Sequence, residues 1–277
     1  MKAFSLTLRI LGGTLVLMAL QALWSHPRSL AQFERSILPD VLIVLALAFV
    51  AAGSHQQGWK LSGTLFILYF GINQLNTLDE ALLFNIGVTT SQGLLSIASG
   101  FLTSIVFAPL LVLVLGCWNK PPGRAKPLVA RSAASWAGRI LIGDLLYVLC
   151  YFVAGIITFP FVREFYAGTT LPGPGSILEM EVFRGFVYVA AGLAVAHGMK
   201  GERAKAAISL GLSFPVLAGV APLLLPNPYL PAYVRLAHGF EIGISNLVYG
   251  VLLGYLITRK AVPAAGGLLA ESAESLL

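Results

Sequence analysis

The sequence predicts an all-α integral membrane protein of eight transmembrane helices, and three observations predict it. Apolar runs of about 20 residues, the length that crosses bilayer hydrocarbon, recur along all 277 residues. Charged residues make up 11% of the chain, against about 25% in a soluble domain. The positive residues stand in the short stretches between the runs, as topology signals do. The charge deficit is spread over the whole chain, which excludes a soluble enzyme with one anchor. The net charge of +6 is topogenic rather than a nucleic-acid patch.

The runs centre on Leu6–Trp24, Ile37–Gly53, Leu61–Leu82, Ile97–Trp118, Trp136–Phe159, Ser176–Gly198, Ala204–Leu225 and Ala237–Ile257. The first follows Lys2 and Arg9 as a signal peptide would. Ala19-Leu-Gln-Ala22 is a poor cleavage site, so the run is expected to remain as a span. The second carries Asp40 near its start. The third carries Asn73, Asn76 and Glu80 at i, i+3, i+7, one helical face, with Asp79 beside them. The fourth ends at Cys117 and Trp118, and the fifth opens at Trp136 and holds Arg139, Asp144 and Cys150. Both tryptophans, with Tyr233, read as interface anchors. The two cysteines belong to no CxxC or Cys/His cluster and read as small buried residues. The segment Pro160–Gly175 is rich in turn formers and is expected to be an external linker able to cover a site.

The sixth run is the unusual one. Glu179, Glu181 and Arg184 stand near its start, with Glu181 and Arg184 on one face. Charge inside a membrane span is costly, so it is paired, turned inward, and functional by default. The seventh run holds Pro215 and Pro222, expected to kink it. The eighth places His238, Glu241 and Ser245 on one face, with Asn246 adjacent, and its Gly239xxxGly243 and Gly250xxxGly254 spacings predict close helix packing.

Eleven positive residues, among them Lys120, Arg124, Lys126 and Arg131, fall on one side of the spans and four on the other. Positive-inside bias then puts both termini in the cytoplasm of a bacterial inner-membrane protein. The chain divides into a four-helix half over 1–118, a basic cytoplasmic linker over 119–135, a second half over 136–258 and a flexible tail over 259–277. The halves look duplicated. Arg9-Ile-Leu matches Arg139-Ile-Leu, and Ser36-Ile-Leu matches Ser176-Ile-Leu. Gly63, Phe66, Gly71 and Leu75 match Gly211, Phe214, Gly219 and Leu223, and Ala98-Ser-Gly-Phe matches Ala237-His-Gly-Phe. The offsets are 130, 140, 148 and 139, in order along the chain. An even number of spans per copy predicts a parallel repeat with a site near the interface of the halves.

On that topology the ionisable groups of separate spans collect at the outward level. The expected site is a polar cavity lined by Glu80, Glu181, Arg184 and Glu241, joined by His238, Asn246 and Asn76. Clustered carboxylates around one arginine suit a cation or proton, so the leading function is transport or binding of a small solute or ion. The expected partners are the lipid bilayer and that solute, with homo-oligomerisation open. No nucleic acid and no cofactor are expected.

Glu179-Met-Glu-Val-Phe-Arg184-Gly resembles the EExxxR-Gly motif of the CAAX-protease and bacteriocin-processing membrane family over about seven residues. The resemblance implies an eight-helix fold and an intramembrane metal-dependent hydrolase, drawing here on Glu181, His238 and Glu241. Met180 replaces the second glutamate of that motif, and Ala218 stands where the family's FxxxH pattern from Phe214 has histidine. The third reading is a non-catalytic assembly protein whose buried charges fix helix packing.

Overall fold

A computed structural model describes residues 2–24, 30–84, 89–119, 131–167, 171–199, 202–225 and 230–259. The lysines of the basic linker and the tail beyond 259 lie outside these, as does the side chain of Glu80. The described residues are helical, with no strand among them. The helices are α1 (Lys2–Trp24), α2 (Leu30–Gly53), α3 (Gly58–Phe66), α4 (Asn76–Leu83), α5 (Thr90–Val114), α6 (Ala133–Tyr166), α7 (Pro174–Gly198), α8 (Arg203–Pro215), α9 (Ala221–Leu224) and α10 (Ala232–Thr258). A π-helical stretch, Ile67–Leu75, joins α3 to α4, and a second, Val216–Val220, joins α8 to α9.

Among the described residues six segments are long and apolar enough to cross a membrane: Phe4–Leu23, Phe33–Gly53, Thr90–Val114, Ala133–Tyr166, Arg203–Leu224 and Ala232–Thr258. The other two expected spans differ for physical reasons. The third is broken by its π stretch into three consecutive pieces. The sixth, α7, is 25 residues long but spends apolar positions on Glu179, Glu181 and Arg184.

Packing explains how α7 holds charge. Its neighbours include α6, α10, α3, α4 and the first π stretch, and eleven of its residues are buried. In the same way α2 packs against α8, the second π stretch and α9. The π stretches also touch each other, and Asn73 Nδ2 donates to the Leu217 carbonyl across that contact at 2.8 Å. These segments form the middle of the bundle. Of the span windows, α2 is 56% buried and Arg203–Leu224 61%, against 22% for α6 and 28% for α1. The outer helices leave Leu, Ile and Phe side chains exposed to face lipid. Pro215 and Pro222 flank the second π stretch, in keeping with the expected kink: each lacks the N–H that an α ladder would use. The first π stretch contains no proline to announce it.

Helix ends are closed by side chains. Ser132 accepts from Ser135 N at the start of α6, and Thr89 with Gln92 forms a capping box on α5. Arg9 of α1 donates to the Leu115 carbonyl at the end of α5, and Arg139 of α6 donates to the Leu256 carbonyl in the last turn of α10. At the loops His55 N donates to the Gly198 carbonyl, and Glu202 pairs with Lys205 at 2.7 Å and lies 3.8 Å from His55. The Lys205 ammonium holds the Glu202 carboxyl below its usual range.

The segment Pro160–Gly175 is not wholly a linker. Helix α6 runs through Pro160 to Tyr166, 34 residues and about 51 Å at 1.5 Å per residue. A proline inside a membrane helix is tolerated where neighbours satisfy the freed backbone. Of the two glycine spacings, the second packs closely. A Cβ on Gly250 would lie 2.6 Å from the Leu210 backbone, and one on Gly254 2.5 Å from Ala207 Cα. Gly239 has nothing within 4 Å, so the first spacing makes no such contact. Gly250→Ala is therefore expected to push α10 off α8 and cost about 1–3 kcal/mol, read as a lower thermal midpoint in detergent. An unchanged midpoint would mean the crossing gives way freely.

Candidate functional site

Helix α7 begins with Gly173 as N-cap and Pro174 at the first helical position, a preorganised start. Two to three turns further in, Glu181 and Arg184 are both buried, at 0% and 3% exposure. Nη1 of Arg184 donates to Glu181 Oε1 at 3.0 Å. Its Nε donates to both oxygens of Asp79 on α4 at 3.1 Å, and Nη2 donates to Asp79 Oδ1 at 2.7 Å and to the Asn76 carbonyl. The planar guanidinium fork suits this bidentate grip. One buried arginine thus ties α7 to the helix that follows the first π stretch.

Across from it, His238 and Glu241 on α10 meet through Nδ1 and Oε2 at 2.7 Å. Nε2 of the same ring is 3.0 Å from the Tyr166 hydroxyl at the end of α6. The carboxylate takes a donor, which puts the ring proton on Nδ1 and leaves Nε2 to accept from Tyr166. The other Glu241 oxygen lies in ordinary contact range of α6, 3.5 Å from where a Cβ on Gly155 would be.

The two groups line one cavity of about 50 Å³. Asn76, Arg184, His238, Glu241, Ser245 and Asn246 give it polar wall, and Tyr147, Tyr188 and Tyr249 give it aromatic wall. The three tyrosines touch one another, with Tyr147 stacked on Tyr188 at 4.5 Å between centroids, and Phe214 backs them. Asn246 spends its Nδ2 on the Ile242 carbonyl. Its Oδ1, the Asn76 Oδ1 and the Tyr188 and Tyr249 hydroxyls are buried without a hydrogen-bond partner among the described residues. Buried polar atoms are costly unless paired, so a cavity lined by the four residues that carry them suits a polar occupant. Its volume suits a few water-sized groups.

Of the residues expected from sequence, Asn76, Arg184, His238, Glu241 and Asn246 line the cavity, and Glu181 joins through Arg184. Glu80 sits on α4, and the carboxylate that grips Arg184 is its neighbour Asp79. Glu179 is exposed. The ligand set Glu181, His238 and Glu241 does not form a metal-holding group: no three His, Cys, Asp or Glu side chains do so among the described residues. Tyr147, Tyr166, Tyr188, Tyr249 and Cys150 were missed by sequence reasoning, because single tyrosines in apolar spans carry no spacing signal. No family model, no curated protein and no solved structure matches the chain.

Proposed function

We propose that this is a multi-pass membrane protein that binds and moves a small cation or proton through the cavity between α4, α6, α7 and α10. The carrying observation is that Asn76 Oδ1, Asn246 Oδ1 and the Tyr249 hydroxyl, all buried and unpartnered among the described residues, wall the cavity that Glu241 also lines. One guanidinium stands against three carboxylates there, Asp79, Glu181 and Glu241. That balance favours a positive occupant. The roles divide. Arg184 is held by Asp79 and Glu181 and fixes helix packing, while Glu241 is the carboxylate that meets the occupant.

The architecture belongs to the same reading: eight spans in two duplicated halves, with both termini cytoplasmic in a bacterial inner membrane. Several correspondences support the duplication. The third span of each half carries a π stretch, and the first span of each half caps the last turn of its fourth through a matched arginine, Arg9 or Arg139. The two π stretches meet at the Asn73–Leu217 contact, where an axis between parallel repeats would pass, and helices broken near such an axis are where transporters bind substrate.

The test is electrical. Protein reconstituted on a solid-supported membrane is stepped through sodium, potassium, lithium, ammonium and proton concentrations. At least one of these is expected to give a charge-displacement transient absent from protein-free liposomes. Silence to all five would overturn the reading.

A further inference from the structure

We infer that Tyr166, His238 and Glu241 form a relay that carries protons between the membrane face and the cavity. The inference rests on the reading of the cavity as a cation or proton site and names the proton as a species that enters it. The chain of contacts is continuous: Tyr166 hydroxyl to His238 Nε2 at 3.0 Å, then His238 Nδ1 to Glu241 Oε2 at 2.7 Å. Its two ends differ. Tyr166 is the last residue of α6, followed by exposed Ala167, and His238 lies in the second turn of α10. Glu241 is three residues deeper and lines the cavity. Imidazole is the side chain best fitted to pass a proton between two such partners, because one nitrogen accepts as the other donates.

The transfer balances as follows. A proton from water binds the Tyr166 oxygen as the Tyr166 O–H breaks toward Nε2. The Nδ1–H bond breaks as the proton binds Glu241 Oε2. The net result is one proton gained by the carboxylate, one lost by the water that supplied it, and an imidazole left in the other tautomer, its proton on Nε2. The titratable and charged groups around Glu241 are few. From α6 they are Tyr147, Cys150, Tyr151 and Tyr166, with Asp144 further along, packed on Gly185. From α7 they are Arg184 and Tyr188, with Glu181 and Asp79 behind Arg184. From α10 itself they are His238 and Tyr249, with Arg235 a turn before His238 and donating to the Leu230 carbonyl. Helix α8, which packs along α10, carries Arg203 over the Tyr255 ring and Lys205 on Glu202, far along the helix from Glu241. The second π stretch and α9, which also pack on α10, contain none. Arg184 is engaged by its two carboxylates, so His238 is the basic group in contact with Glu241.

The relay is tested by infrared difference spectroscopy on the full-length reconstituted chain after a pH jump. The protonated carboxyl C=O band that Glu241→Gln removes is the readout. In Tyr166→Phe the band is expected to keep its amplitude but to form about a hundredfold more slowly, the weight of one positioned proton donor. His238→Gln is expected to slow it as much, and imidazole added to the buffer should restore its rate, which a loss of packing alone would not allow. If the band forms at the wild-type rate in both variants, the relay is wrong and the cavity reading stands. If the wild type shows no band that Glu241→Gln removes, Glu241 takes up no proton and the relay falls, while the cavity reading is decided by the charge-displacement test.

Discussion

Arg184→Ala is expected to lower unfolding stability by about 3–5 kcal/mol, the cost of stranding buried partners of a removed charge. Two carboxylates would be left: Glu181, which is fully buried, and Asp79, whose side chain is 16% exposed. The Asn76 carbonyl would lose a donor as well. Thermal or denaturant unfolding in detergent measures the loss. Arg184→Lys should recover little of it, since an ammonium cannot reproduce a fork that reaches Asp79 through Nε and Nη2 together. The triple change Asp79→Asn, Glu181→Gln, Arg184→Met should recover most of it, because neutral partners of similar volume carry no stranded charge. A wild-type midpoint for Arg184→Ala would mean that the arginine does not hold α4 to α7.

Glu241→Gln is expected to abolish the charge-displacement transient while the protein stays folded. Glutamine keeps the shape and can still accept from His238 Nδ1, so the thermal midpoint should stay close to that of the wild type. What it loses is the negative charge that faces the cavity and the ability to take up a proton. Asn246→Leu gives a second check on the same wall: its Oδ1 would vanish from the cavity, and the transient should weaken rather than disappear. A full transient from Glu241→Gln would move the charge-carrying role to another group.

Much of the site was legible because membranes make polar residues conspicuous. Glu181, Arg184, His238, Glu241, Asn76 and Asn246 stand out in apolar runs, and helical spacing alone puts Glu181 with Arg184 and His238 with Glu241. What escaped was phase. The face Asn73, Asn76, Glu80 assumes an unbroken α-helix, yet Ile67–Leu75 is π-helical, and its i→i+5 bonding advances the chain less per residue. The face splits between Asn73 and Asn76: Asn73 turns to Leu217 on the second π stretch, whereas Asn76 lines the cavity and, with Asp79, meets Arg184. Nothing in the composition of Ile67–Leu75 marks this widening, whereas Pro215 and Pro222 did mark the other. The end of α6 escaped for the opposite reason. Pro160 looked like a stop, and the helix continues to Tyr166, which brings the tyrosine to His238.

The arginine clasps at Leu115 and Leu256 join α1 to α5 and α6 to α10. The run of helices α1 to α5 and the run α6 to α10 are each in that sense a closed loop, fastened without help from the peptide that links them. A chain cut between 119 and 131 would leave both fasteners intact, yet Arg184 would still have to find Asp79 on the other fragment, so two shorter polypeptides are expected to reach their stable form only when made together.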